Sequence, residues 1–334
     1  MIAATIAVLG PGSWGTALAL LLARNGHEVR LWGHDPEEIA PLRRDRENRR
    51  YLPDIPWPPS LTAGIDLAEA LAGGDLALVA VPSHAYAATL ARLRPHLPET
   101  TGFAWATKGL EPGGGRFLHE VTAAILGEYR PVAVISGPSF AREVALGLPT
   151  AVTVAARDAD HAHRVAALLH GSNVRAYTSS DVIGVELGGA VKNVLAIAAG
   201  IADGLGFGAN ARAALITRGL AEMVRLGVAV GGQRETFMGL AGVGDLVLTC
   251  TDDQSRNRRF GLAIGRGETA AAARAAIGQV VEGAVTAREA LRLARRHGVE
   301  MPITEQVDRV LHHGQNPRQA VEILLARDPK PEAL

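Results

Sequence analysis

The chain has 334 residues, of which 48% are apolar and 20% charged, and its 34 Lys+Arg balance 34 Asp+Glu, so the formal charge is zero. That apolar content excludes a disordered chain, and the charge balance leaves no basic field for nucleic acid. A single cysteine, Cys250, excludes a disulfide framework and a multi-cysteine metal site. The length fits about two domains. The first ten residues run into a strand-like segment with no basic leader, which predicts no signal peptide. The most apolar stretch, Val191 to Ile201, begins beside Lys192 and is followed by Asp203, so it reads as a buried helix rather than a membrane span. A cytoplasmic, reducing location is expected.

The first half alternates short apolar runs with helical periods. Strands are predicted at Thr5–Leu9, Glu28–Leu31, Leu76–Val81, Gly102–Ala106 and Val132–Ile135, continuous runs of the kind that parallel strands buried on both faces require. Amphipathic helices are predicted between them, for example over Thr16–Asn25 and Ala85–Leu93. Two further strands, Ala151–Ala155 and Val174–Tyr177, extend the set. This is the pattern of an α/β doubly wound, Rossmann-type sheet. At residues 179–181, Ser-Ser-Asp is placed to cap a long helix reaching about Asp203. Only helical periods follow, broken by glycines and by Pro302, Pro317 and Pro329, and Ala270–Ala276 is helical. The reading is therefore a nucleotide-binding domain over 1–180 and an all-α domain over 181–334.

Gly10-Pro11-Gly12-Ser13-Trp14-Gly15 follows the first strand and opens the first helix, the context that gives G-x-G-x-x-G its meaning. Gly10 permits the tight turn, Gly12 lets a pyrophosphate approach the backbone, and Gly15 lets the helix pack on the strand. The N–H groups at the helix start then face phosphate oxygens. Asp35 lies 20 residues beyond Gly15, where an acid holds a ribose 2′-OH and favours NAD. His34, Arg43 and Arg44 are placed to meet a 2′-phosphate instead, so use of either NAD or NADP is expected.

Ligands of such sheets bind beyond the carboxyl ends of the strands. Those ends carry Pro82-Ser83-His84, Thr107-Lys108-Gly109 and Ser136-Gly137-Pro138-Ser139-Phe140-Ala141. Lys108, Lys192 and Lys330 are the only lysines among the 34 basic residues. A compositional drift towards arginine spares lysine mainly where a slim amine that can release its proton is needed. Lys330 sits in the terminal DPKPEAL and carries no such meaning, whereas Lys108 falls in the strand-end crevice. His84 reads as a crevice-edge or capping residue. Lys192 lies on a helix apolar nearly all round, with Gly188 and Gly189 before it and Leu195 and Ala196 after it on the same face. Small neighbours leave room for a ligand there, and burial lowers the amine's pKa, as a general acid/base lysine requires.

Further on, Gly239–Gly244 reads as a glycine-rich turn presenting Asp245. Ser255-Arg256-Asn257 at a helix start offers a hydroxyl, a planar cation, an amide and backbone N–H groups, the parts of a phosphate cradle. Asp252-Asp253 points only weakly to a metal, the 11 histidines are scattered, and no metal is expected. Cys250 has no recognisable histidine partner and reads as packing.

Taken together, GPGSWGTALA at 10–19, ATKGLE at 106–111, SGPSFA at 136–141, ELGGAVKNVLAIAAGIADGLGFGANARAALITRGL at 186–220, GLAGVGDLVLTC at 239–250, SRNRRFG at 255–261, VVEG at 280–283 and MPITEQV at 301–307 run in order almost end to end. In this the sequence resembles the soluble, bacterial-type NAD(P)-dependent sn-glycerol-3-phosphate dehydrogenase family. The resemblance implies a Rossmann domain plus an all-helical domain, often dimeric. It implies reversible hydride transfer between NAD(P)H and dihydroxyacetone phosphate, a small-molecule phosphate substrate, supplying glycerol 3-phosphate for phospholipid synthesis. By the same resemblance Lys192 is the proton donor and acceptor, and Lys108 touches both cofactor and substrate. Gly137, Ser139, Asp245, Ser255, Arg256 and Asn257 meet the substrate, with Arg256 also near the cofactor. Ser13, Trp14, His34, Ala141, Val280 and Glu282 meet the dinucleotide. Two alternatives stand beside it. One is a related β-hydroxyacid dehydrogenase, which would need a carboxylate site. The other is a nicotinamide-sensing protein without turnover, which gives no reason for a lysine in an apolar helix.

Overall fold

The computed structural model describes residues 3–328, so that Pro329 and Lys330 lie outside the described residues. Contacts divide the chain into two units, one built from residues up to 107 together with 119–182, the other from 108–118 together with 183 onward.

In the first unit the strands are β1 (Thr5–Leu9), β2 (Glu28–Trp32), β3 (Glu47–Asn48), β4 (Leu52–Pro56), β5 (Leu61–Gly64), β6 (Leu76–Val79), β7 (Gly102–Trp105), β8 (Val132–Ser136), β9 (Thr150–Ala155) and β10 (Val174–Ser179). Between them run α1 (Ser13–Arg24), α2 (Pro36–Asp45), α3 (Leu67–Leu71), α4 (Ser83–Leu93), α5 (Leu118–Leu126), α6 (Ala141–Leu146) and α7 (Ala159–Leu169). Eight strands form one sheet in the order β10-β9-β8-β7-β6-β1-β2-β5. The central strand β1 is flanked by β2 and β6 in parallel register and is buried along nearly all its length, as its unbroken apolar run requires.

Two features of this sheet are not written in the apolar pattern. The edge strand β5, Leu-Thr-Ala-Gly, is too short and mixed to stand out, yet pairs parallel with β2. Strand β9 runs antiparallel to β8, while β10 is parallel to β9. The physical reason is the connection: α6 has six residues, roughly 9 Å of helix, too short to carry the chain back along the sheet as a parallel crossover demands. Gly147, at φ 78°, ends that helix and turns the chain straight into β9.

From Val182 onward the regular elements are helices: α8 (Val182–Gly204), α9 (Ala209–Ala229), α10 (Arg234–Phe237), α11 (Asp245–Thr251), α12 (Arg256–Gly265), α13 (Ala270–Ile277), α14 (Glu282–Arg296), α15 (Pro302–His312) and α16 (Pro317–Leu325). By length and composition α8 is apolar enough to cross a membrane, but the helix is buried inside the protein. It forms the axis of the second unit's core, with Leu187, Val191, Val194, Leu195 and Ile197 fully buried beside Met223, Phe237, Leu246 and Phe260. The segment that follows β7 also belongs here, since Leu110 and Phe117 are buried in this helical core.

Glu222 of α9 ties α15 into that core. Its buried carboxylate accepts from the N–H groups of Ile303 and Thr304 at 2.5 and 3.2 Å and from the Thr304 hydroxyl at 3.1 Å, satisfying donors that the start of α15 leaves open. Burial raises its pKa from 4.5 to about 7 against these hydrogen bonds. The folded state therefore binds the proton more tightly than the unfolded chain, and this contribution to stability is full below pH 4.5 and lost as pH rises through about 7. A gap of that size is worth about 3 kcal/mol. Urea midpoints measured from pH 5 to 8 should fall more steeply for the wild type than for Glu222→Gln, whose side chain does not titrate.

Candidate active site

The glycine turn of the first unit is built for close approach. Gly10 adopts φ +115°, and a Cβ at Gly15 would lie 1.9 Å from the Gly10 carbonyl oxygen, so α1 starts directly against the turn. A Cβ on Gly12, by contrast, would meet nothing within 4 Å. That space opens in front of the α1 N-terminus, which no side chain caps. The buried indole N–H of Trp14 has no partner among the described residues. Asn48 holds the turn from behind: its amide donates to the Pro11 carbonyl at 2.9 Å and to the Thr16 hydroxyl at 2.8 Å. Open space, uncapped helix donors and an unsatisfied N–H fit the pyrophosphate end of a dinucleotide.

At the end of β2, His34 is exposed, and Asp35 is the N-cap of α2, accepting from the Glu37 N–H at 2.9 Å. The acid read as a ribose contact thus already has a structural task, a use that a capping aspartate before Pro-Glu-Glu also explains. Arg43 is exposed and Arg44 pairs with Asp45 at 2.7 Å. His84 is exposed in the first turn of α4. Gly137, at φ +136°, and Ser139 lie just past β8, where the Ser139 hydroxyl donates to the Gly137 carbonyl at 2.9 Å, and Ala141 opens α6.

In the helical unit three charged groups meet. Asp245, fully buried, receives the Lys192 ammonium on Oδ1 at 2.5 Å and the Lys108 ammonium on Oδ2 at 2.7 Å. Lys192, only 7% exposed, also donates to the Thr249 hydroxyl at 2.9 Å. Burial lowers the Lys192 pKa from 10.5 to about 8; the Lys108 charge acts in the same sense and Asp245 opposes it. Burial alone would raise Asp245, but the two ammoniums outweigh it and hold the carboxyl below its ordinary value. The group carries two positive charges on one negative, an arrangement suited to anionic oxygen.

The residues around Asp245 depart from the sequence reading in two ways. The glycine-rich stretch is no open turn: Leu240–Gly244 form one π-helical turn that runs into α11, and Asp245 is the first residue of that helix. Nor does Gly188 leave room for a ligand. A Cβ there would lie 2.3 Å from the Ala241 carbonyl oxygen, so the missing side chain lets the π-helical turn seat on α8. Thr249 was not singled out from the sequence, although its i+4 spacing from Asp245 on a helix puts both on one face.

Ser255 is the N-cap of α12, its hydroxyl accepting from the Arg258 N–H at 3.2 Å. Asn257 is buried, donating to the Asn193 side chain at 3.0 Å and accepting from the Gly283 N–H at 2.9 Å. It therefore holds α8, α12 and α14 together, next to Lys192, and offers less to a ligand than a free amide would. Arg256 donates to Gln279 at 2.8 Å, in the loop that leads to exposed Val280 and to Glu282, the first residue of α14. Asn193 and Gln279 are contacts the sequence reading missed; each adjoins a motif residue, and only folding shows which way its amide turns. Cys250 is fully buried in the helical core and its thiol is pushed up to about 12 by burial, as a packing residue's would be. Among the described residues no group of three or more His, Cys, Asp or Glu side chains is placed to hold a metal.

The pattern that defines the NAD-dependent glycerol-3-phosphate dehydrogenase N-terminus matches residues 5–162, and that of the C-terminus of the same family matches 181–322. The chain is 62% identical over 327 residues to an NAD(P)+ glycerol-3-phosphate dehydrogenase of Thioalkalivibrio sulfidiphilus, covering 98% of each. It is 56% identical over 328 residues to that of Pseudoalteromonas translucida, again covering 98% of each. The crystal structure of glycerol-3-phosphate dehydrogenase from Coxiella burnetii superposes with a TM-score of 0.94 at 52% identity, over 97% of this chain and 99% of that one. With both halves matched in order and relatives of this identity along nearly the whole length, the chain belongs to the NAD-dependent glycerol-3-phosphate dehydrogenase family.

Proposed function

We infer that the protein is an oxidoreductase interconverting dihydroxyacetone phosphate and sn-glycerol 3-phosphate with NAD(P)H. The observation that carries the chemistry is the buried Asp245 carboxylate shared by Lys192 and Lys108. These are the only lysines among the described residues of an arginine-rich chain.

When bound, NAD(P)H supplies the hydride that the carbonyl carbon accepts. The glycine turn, with Ser13 and Trp14, is the part of the chain that holds it. In ketone reduction Lys192 gives a proton from Nζ to the carbonyl oxygen, so that hydride and proton together make the alcohol; in the reverse direction the neutral amine takes that proton back. Lys108 brings a second positive charge to the oxygen as negative charge builds there. Asp245 holds both amines in place and keeps Lys192 protonated more readily than burial alone would allow. The phosphate is assigned to the start of α12: the Ser255 O–H, the Arg256 guanidinium, the second N–H of the Asn257 amide and the backbone N–H groups of the first turn. The proposal includes a homodimer, a cytoplasmic location and a product destined for phospholipid synthesis.

The direct test follows absorbance of each reduced nucleotide with dihydroxyacetone phosphate present; no oxidation of either removes the assignment. Lys192→Ala should lower kcat by roughly 10²–10⁴-fold, the range of a lost general acid, with nucleotide affinity unchanged. Ketone reduction needs the charged amine, so its rate should fall as pH rises through about 8, and alcohol oxidation should rise over the same range. Asp245→Asn should move that limb to lower pH, because the carboxylate raises the Lys192 pKa. Gly12→Val places a side chain in the open space before α1 and should weaken nucleotide binding by about 100-fold or more, as fluorescence titration would read.

A further inference from the structure

The segment that carries Lys108 is held far from its reactive end. Leu110 and Phe117 anchor it in the helical core. Between them the chain closes on itself: the Glu111 N–H donates to the Arg116 carbonyl at 2.9 Å and the Gly115 N–H to the Glu111 carbonyl at 3.0 Å. The Arg116 guanidinium grips the Glu111 carboxylate at 2.6 and 2.7 Å. The tip is Gly113-Gly114-Gly115, with φ +84° at the first and +61° at the third. A Cβ on Gly115 would stand 2.8 Å from the Arg296 guanidinium and 3.2 Å from the Glu289 carbonyl oxygen, so the tip lies directly against α14.

Two side chains of α14, two turns apart on one face, clasp that tip. Glu289 accepts the Gly113 N–H on Oε1 at 3.0 Å, and Arg296 donates to the Gly114 carbonyl at 2.6 Å. Glu289 is only 3% exposed. Its other partner, Arg292, is an i+3 neighbour with a 43% exposed side chain. An ion pair of that kind adds little by itself and does not account for burying a carboxylate. Lysine is a point charge on a flexible stem, so the position of its ammonium depends on how firmly the backbone beneath it is fixed. We propose that Glu289 is a positioning residue for the reaction: by pinning Gly113 it sets where the Lys108 ammonium stands against Asp245. The inference rests on the assignment of Lys108 to the reacting oxygen.

The test compares kcat, KM for dihydroxyacetone phosphate, NADPH affinity and pH profile for Glu289→Ala, Glu289→Gln, Lys108→Ala and the Glu289→Ala/Lys108→Ala double variant. Glu289→Ala should lower kcat by about 10- to 100-fold, the loss that a misplacement of about 1 Å carries, with NADPH affinity unchanged. Releasing Lys108 removes a positive neighbour that depresses Lys192, so the alkaline limb should move to higher pH. Glu289→Gln keeps the Oε1 acceptor and should recover most of the rate. The double variant should be no worse than Lys108→Ala alone. Additive losses, or an unmoved limb, overturn the proposal. Should Glu289→Ala fail to fold, exposed Arg296→Ala loosens the same tip, and its cycle with Lys108→Ala decides by the same criterion. A Lys108→Ala enzyme with near-normal turnover overturns the assignment of Lys108 itself; a crippled Lys108→Ala beside a normal Glu289→Ala overturns only the role of Glu289.

Discussion

One carboxylate shared by two ammoniums organises the helical unit. Without Asp245, two lysines would place like charges together where water is scarce; without the lysines, a fully buried carboxylate would have no opposite charge beside it, only the Thr249 hydroxyl 3.3 Å from Oδ1. The trio carries two positive charges on one negative, and under the proposed function that excess is what meets an oxygen becoming negative during reaction. The same balance brings Lys192 to about 8, low enough to exchange a proton near neutral pH.

Several elements of the fold converge on this trio. Gly188 lets the Ala241 carbonyl approach α8, and the π-helical turn that results ends at Asp245. Thr249, one turn further along α11, takes another Lys192 hydrogen. On the far side of Lys192, Asn193 engages Asn257 and through it the Gly283 backbone, so the start of α12 is tied to the helix that carries the amine. Buried hydrogen bonds link these groups in sequence, so that a shift of one weakens the bond of its neighbour.

The glycine turn follows a different principle. It depends on what is missing: no side chain at Gly12, none capping α1, and no protein partner among the described residues for the Trp14 indole. Its support, Asn48, comes from a short two-stranded hairpin, β3–β4, that no apolar periodicity announces. Stretches such as Glu47–Asn48 and Leu52–Pro56, the latter with two prolines, carry too little pattern to be read as strands before the fold brings them together.

By itself the amino-acid order determined the alternating strand–helix half, the helical half and the glycine turn, because periodicity and backbone permissiveness are local properties. Lys108, Lys192 and Asp245 were also legible, the first two through their rarity in an arginine-rich chain and all three through motif resemblance. The partners of those residues were decided only in three dimensions. That one carboxylate serves both amines, that Asn257 braces helices and that Glu289 reaches the Gly113 tip are contacts between residues far apart in the chain. The antiparallel entry of β9 belongs with them, since it follows from the length of α6 against the span of the sheet. Such outcomes depend on which groups packing brings within about 3 Å, and sequence spacing does not encode that distance.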